Sequence, residues 1–205
     1  IKSFLPAHSG SSPGNSRSSN LSKMAVISLN ITTPSYSPVI DRTDYLKINS
    51  GRISREINGR ARFSGVLEEL ERGYRPAKGN ILEIIEDGTT VFKGNIRRLI
   101  ERAHPGTSAL QFDIEALDFN AIPARRLVTA EFPSGATLYK VVQAVNARFL
   151  TGENITLTNV QNPGPTISQA LRFYHETVAS VFSRLATVTG YVWWIDFDKD
   201  LHFCP

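Results

Sequence analysis

The chain has 205 residues, 41% of them hydrophobic and 20% charged, with a net charge of +4 and one cysteine, Cys204. A chain of this length buries roughly 70% of its unfolded surface, so it needs no staples, and a lone cysteine excludes an internal disulfide framework or a cysteine-built metal site. No apolar run approaches the ~18 residues of a membrane-spanning helix, so no membrane anchor is expected. The basic excess is slight, because residues 1–23 carry Lys2, Arg17 and Lys23 without an acid and the rest sums to +1 (4 minus 3), too little to call for a nucleic-acid-binding face.

In chain order, residues 1–23 hold eight serines with Pro6, Gly10, Pro13 and Gly14. They read as a disordered lead, or one foreign to the gene, because they bury too little to offset ordering entropy. Met24, the only methionine, marks the expected native start, and no signal-peptide core precedes it. Residues 24–120 read as a first β-barrel-like domain. Val26 to Ile31 form an apolar, β-branched strand that Thr32-Thr33-Pro34 closes. Ala61, Phe63, Gly65 and Leu67 alternate with polar neighbours at the period of a half-buried strand. Ile81 to Glu86 and Thr90 to Phe92 flank Asp87-Gly88, a hairpin signal because a tight turn needs positive φ. Gly94 marks a bulge or close approach before Asn95 to Ile100. Beyond Pro105-Gly106, Leu110, Phe112, Ile114 and Ala116 alternate as another strand.

Residues 121–205 read as a second, α+β domain, expected to be cut short at Pro205. Thr137 caps a helix with Leu138, Val141, Val142, Val145 and Phe149 on one stripe, ended at Thr151-Gly152. A second helix begins near Thr177, buries Val178, Val181, Phe182, Leu185 and Val188, and stops at Gly190, where a left-handed cap is expected. Both must pack on a sheet, since an isolated helix of this length is marginal in water. Tyr191 to Phe197 and Leu201 to Phe203, joined by Asp198-Lys199-Asp200, supply aromatic strands. The predicted fold class is α+β, mainly β: two small barrel-like domains, the second carrying two amphipathic helices.

No reaction centre emerges. Asp196, Asp198 and Asp200 resemble the start of a calcium loop, but Leu201 stands where its turn glycine belongs, so a solvated hairpin turn is the better reading. His175-Glu176 before the second helix reads as capping or surface, since adjacent residues do not face each other; His8, His104 and His202 share no metal-site spacing. Asn162-Pro163-Gly164-Pro165 is too rich in proline to cradle phosphate. The run Arg52, Arg55, Arg60, Arg62 is followed by Glu68, Glu69 and Glu71 and reads as a mixed polar face rather than an oligonucleotide site. No catalytic, cofactor-binding or metal residues and no cofactor are expected, and the chain is not expected to be an enzyme. Alternation sets Tyr191, Trp193 and Ile195 on one face and Trp194 on the other, so one tryptophan is core and the other marks an interface.

Three stretches carry a family likeness. Tyr74-Arg75-Pro76, then Gly79, Ile81, Ile84, Asp87-Gly88 and Val91-Phe92-Lys93-Gly94-Asn95-Ile96 form the first. The second is Glu115-Ala116-Leu117-Asp118-Phe119-Asn120 running into Arg125-Arg126-Leu127-Val128. The third is Gly164-Pro165-Thr166-Ile167, Phe173, Thr177-Val178, Leu185-Ala186 and Gly190-Tyr191-Val192-Trp193-Trp194-Ile195-Asp196, ending at Leu201-His202-Phe203. Their order resembles the phage tail baseplate hub family, which includes tail-associated lysins and the spike-base proteins of type VI secretion.

The resemblance implies a virion structural protein of the tail, present in the host cytoplasm during assembly. It implies a homotrimeric ring with pseudo-sixfold symmetry, joining the tail tube to distal tail and spike proteins, with DNA only passing through its channel. Trp193, Trp194, Tyr191 and Phe92 are the interface candidates. The alternatives are an oligonucleotide-binding barrel and the non-catalytic N-terminal part of a tail-associated cell-wall hydrolase.

Overall fold

The computed structural model describes residues 27–33, 39–47, 49–55, 60–69, 74–103 and 109–205. The expected lead at 1–23 and the start at Met24 lie outside them.

The first half is one antiparallel sheet. Its strands are β1 (Ile27–Thr32), β2 (Ile40–Asp41), β3 (Arg52–Arg55), β4 (Ala61–Glu69), β5 (Ile81–Glu86), β6 (Thr89–Ala103) and β7 (Leu110–Asp118). They lie in the order β2-β1-β5-β6-β7-β4-β3. After β2 the chain turns at Thr43–Tyr45, and Leu46 pairs antiparallel with Leu67 of β4, where the Lys47 N–H reaches the Val66 carbonyl at 2.9 Å. Residues 40–47 thus link β1 to β4. The sheet curls like a barrel, and this short link joins its sides without a long strand ladder.

Strand alternation builds this half. Along β7 every second residue is buried, from Leu110 through Phe112, Ile114 and Ala116 to Asp118, as a pleated strand with one apolar face requires. The buried sides of β1, β4, β5 and β6 complete a core around Leu29, Phe63, Leu82, Phe92 and Phe112. Asp87 and Gly88 both have positive φ (48° and 80°), the geometry of a two-residue hairpin whose twist matches its strands. The separate strands expected on either side of Gly94 are one fifteen-residue strand, β6. It pairs with β5 through Asn95 and with β7 from Gly94 onward, with a register shift between Ile96 and Arg98. Gly94 sits at the crossing, where a Cβ would lie 2.1 Å from the Leu117 carbonyl oxygen. The glycine lets β6 change partners.

The second half contains β8 (Leu127–Phe132), α1 (Leu138–Phe149), β9 (Leu171–Thr177), α2 (Val178–Thr189), β10 (Val192–Ile195) and β11 (Leu201–Cys204). Strands β8 and β9 pair antiparallel around α1, a sheet absent from the sequence reading. The caps fall where expected: Thr137 and Thr177 accept from the Lys140 and Ser180 amides, and Gly190 ends α2 at φ 72°. The 163–165 loop covers the start of α1, the Pro165 carbonyl accepting the Leu138 N–H at 2.8 Å and the Pro163 carbonyl accepting that of Tyr139 at 3.3 Å. On α2 the expected stripe is corrected at its end. Val188 is exposed and Ala186 is buried: the buried arc of Val178, Val181, Phe182, Leu185 and Ala186 is centred beyond Val181 toward Phe182, which brings Ala186 inside it and leaves Val188 at its outer edge, in the last turn. These helices and sheets enclose a second core around Val142, Phe173, Phe182 and Phe203, which also takes in Phe119, Ile122 and Ile81.

Candidate interaction surface

The hairpin of β10 and β11 meets the first sheet at the junction of the two cores. Its turn is tied down by aspartates. One Asp196 oxygen accepts the amides of Asp198 and Asp200, each at 2.9 Å. Asp200, buried, accepts from the Thr156 hydroxyl, the Thr158 amide (2.8 Å), the Asn159 amide (3.0 Å) and the Asn159 side chain (2.6 Å). Burial alone would raise its carboxyl; the four bonds outweigh burial and hold it below the ordinary carboxylate range. Residues 156–160 are thereby held parallel to β11. Asp196, Asp200 and His202 bring ligand-type atoms within 4.8 Å of one another. Every carboxylate oxygen of the group is already committed, the last of them to His202 Nε2 at 2.9 Å, so the arrangement works as a braced turn.

Strand β10 alternates as predicted. Tyr191 and Trp193 pack against the second core and Ile195 lies within it. The Trp193 indole meets Phe182 edge-on at 5.4 Å and donates to the Ser183 hydroxyl at 3.1 Å. The Tyr191 hydroxyl donates to Gln161. On the opposite face Val192 and Trp194 are exposed, and the Trp194 indole stacks on His202, with ring centroids 4.6 Å apart and planes 12° apart. Phe92 is corrected: it is 0% exposed, with its ring 6.0 Å from that of Phe63, so it holds the first core and offers nothing to a partner. Its neighbours Val91 and Lys93 are half-buried, Val91 still packed against that core.

The sequence reading missed a side chain that ties the halves together. Asn120 follows β7, accepts the Ile195 N–H of β10 at 2.7 Å, and donates to Asp118 Oδ2 at 2.9 Å. The same Asp118 oxygen accepts the Ala61 N–H of β4 at 2.9 Å, while Oδ1 is buried with no hydrogen-bond partner. Burial, partly offset by these bonds and by nearby Arg60, raises the Asp118 carboxyl. Beside this latch lies a cleft of about 820 Å³ between β3, β4, α2 and β10, lined by Arg60, Arg62, Ser183, Trp193 and Trp194 among others. Of the arginine run, Arg62 faces Glu115 at 3.5 Å and Arg55 donates to the Val91 carbonyl. His175 lies near the end of β9, and Glu176 accepts from Ser180 and Arg184 of α2, as a surface and capping pair does.

The fold is that of phage and prophage tail proteins, shared with type VI secretion components. It superposes on the prophage MuSo2 43 kDa tail protein from Shewanella oneidensis at TM-score 0.65, with 14% identity over 87% of this chain and 53% of that one. Prophage tail protein gp18 from Listeria monocytogenes matches at TM-score 0.62 and 14% identity over 87% of this chain and 50% of the other. The E. coli c3393 protein, a type VI secretion component described as similar to bacteriophage T4 tail proteins gp27 and gp5, matches at TM-score 0.52 and 11% identity, over 87% and 44%. The chain spans about half the length of the tail proteins it matches. No family model and no curated protein matches the sequence.

Proposed function

We propose that the chain is a structural, non-catalytic part of a phage or prophage tail baseplate hub. In this reading it assembles as a homotrimeric ring joining the tail tube to distal tail and spike proteins, in the virion tail and, during assembly, in the host cytoplasm. DNA only passes through the ring. The observation that carries the proposal is the match of both halves together: a single superposition covers 87% of the chain on a prophage tail protein, so the curled sheet and the α+β unit recur in the same arrangement. The strand edges left open among the described residues agree with it. Strands β2 and β3 end the large sheet, and β8 and β9 form a sheet of two. Unpaired edges in an isolated chain are what assembly covers.

The test is the mass of the full gene product in solution and in purified tails. A trimer, present in tails at a whole multiple of three copies, is expected. A strictly monomeric product absent from tails contradicts the proposal.

A further inference from the structure

One side of the β10 main chain is bonded only at its ends, and it lies by the cleft that Asn120, Trp193 and Trp194 line. The Asp196 N–H bonds the Asp200 carbonyl at 3.0 Å, and the register continues through Trp194↔His202 and Val192↔Cys204. Hydrogen-bonded pairs alternate along an antiparallel ladder, so Trp194 and Val192 turn their backbone groups to β11 and Trp193 and Ile195 turn theirs away. Two bonds on the outer side bear out this phase: the Ile195 N–H reaches Asn120 Oδ1 at 2.7 Å, and the Tyr191 N–H reaches the Ala186 carbonyl at 2.9 Å. On the far side of the hairpin, Leu201 and Phe203 give their N–H groups to Thr156 and Asn159. Strand β11 is therefore paired on both sides and β10 on one. Among the described residues nothing bonds the N–H or the carbonyl of Trp193.

The flanks of this edge have a definite chemistry. Across the cleft, Arg60 and Arg62 are both exposed, and none of the described residues lining it is acidic. Val192 and Trp194 present apolar surface beside the edge. An extended chain laid along β10 could bond Trp193 through its own backbone and place alternate side chains against the tryptophan and the arginines.

We propose that this cleft receives an extended, acidic segment of a partner protein, which adds to β10 as an edge strand. The charge complement argues for acid, because Arg62 meets one carboxylate, Glu115, at 3.5 Å, Arg60 has only the buried Asp118 nearby, and no acidic residue is among the described ones that line the cleft. The unpaired Trp193 backbone argues for a polypeptide over a nucleic acid, which has no strand edge to offer.

The inference does not depend on the tail assignment. It is tested with this chain as bait for a displayed library of random peptides about twelve residues long, enough for a strand with its flanks. Selected peptides are expected to be rich in Asp and Glu at alternate positions. They should slow hydrogen exchange of the Trp193 amide and bind about tenfold more weakly to the R60E/R62Q variant, whose melting temperature should match that of the parent. The inference is overturned by binders without acidic bias, binders that leave Trp193 exchange unchanged or are indifferent to the substitutions, or a selection that yields none. A single-stranded oligothymidine that protects the same cleft in preference to the peptides also overturns it.

Discussion

The two halves hold themselves together by different means, and two buried aspartates show the difference. In the first half, strand alternation fills the core, and Asp118 at the end of β7 is one partner short: one of its oxygens is buried without a hydrogen bond. In the second half, short elements separated by loops enclose the core, and Asp200 carries four hydrogen bonds that bind the 156–160 segment to the hairpin. The long ladders of the sheet tolerate an under-bonded carboxylate at the end of β7, whereas the 156–160 segment, outside any long ladder, is held by a saturated one.

The largest expected effect tests whether the halves are independent. Phe182→Ala removes the ring that meets both Trp193 and Phe203 edge-on. It should cost about 3–5 kcal/mol, as truncation of a buried aromatic does. Hydrogen exchange should rise over residues 127–204 first, while β7 keeps its protection; simultaneous loss in both halves would show one cooperative core. Gly94→Ala makes the complementary change. Its Cβ would overlap the Leu117 carbonyl, so β6 and β7 must part, at a cost of about 1–3 kcal/mol. Denaturant titration with a probe in each half should show the sheet weakened first.

Asn120→Ala cuts this link, freeing the Ile195 amide and leaving Asp118 Oδ2 with the Ala61 N–H alone. A loss of about 1 kcal/mol is expected, with faster exchange at Ile195 and Ala61 and little change elsewhere. Unaltered exchange at both amides would remove Asn120 from the account.

The smallest effects are in pH dependence, and the two aspartates should differ in sign. Burial holds the folded Asp118 above the ordinary carboxylate range. The native state therefore keeps its proton longer than the unfolded chain, and Asp118 costs stability as pH rises from the ordinary value through the raised one. Asp200 is held low. Its contribution is complete above the ordinary value and is lost as pH falls through the lowered one. Melting curves from about pH 2 to 7 should show Asp118→Asn removing a decline above the ordinary carboxylate value and Asp200→Asn removing a rise below it. A shared sign would break the comparison.

The same contrast explains what the sequence made legible. Alternation in β4 and β7, the Asp87-Gly88 turn and the caps at Thr137, Thr177 and Gly190 are local, so their signals survive without the fold. The β8–β9 pair was not legible because its strands meet only once α1 and the 163–165 loop have been placed between them. Val188 was misplaced because the sequence does not show that the packed arc of α2 is centred toward Phe182 and Ala186, which leaves Val188 at its edge. Of the candidate surface, the two faces of β10 could be read from alternation. The cleft could not, since Arg60, Asn120 and Trp193 come together only through the packing of the halves, and Phe92 looked available only until Phe63 was placed beside it.

The claim that the chain is a structural tail component is tested most directly by immunogold labelling of intact particles with antibodies raised against it. Gold confined to the tail tip is the predicted result. Unlabelled particles, with the protein recovered only from the soluble lysate, would contradict it.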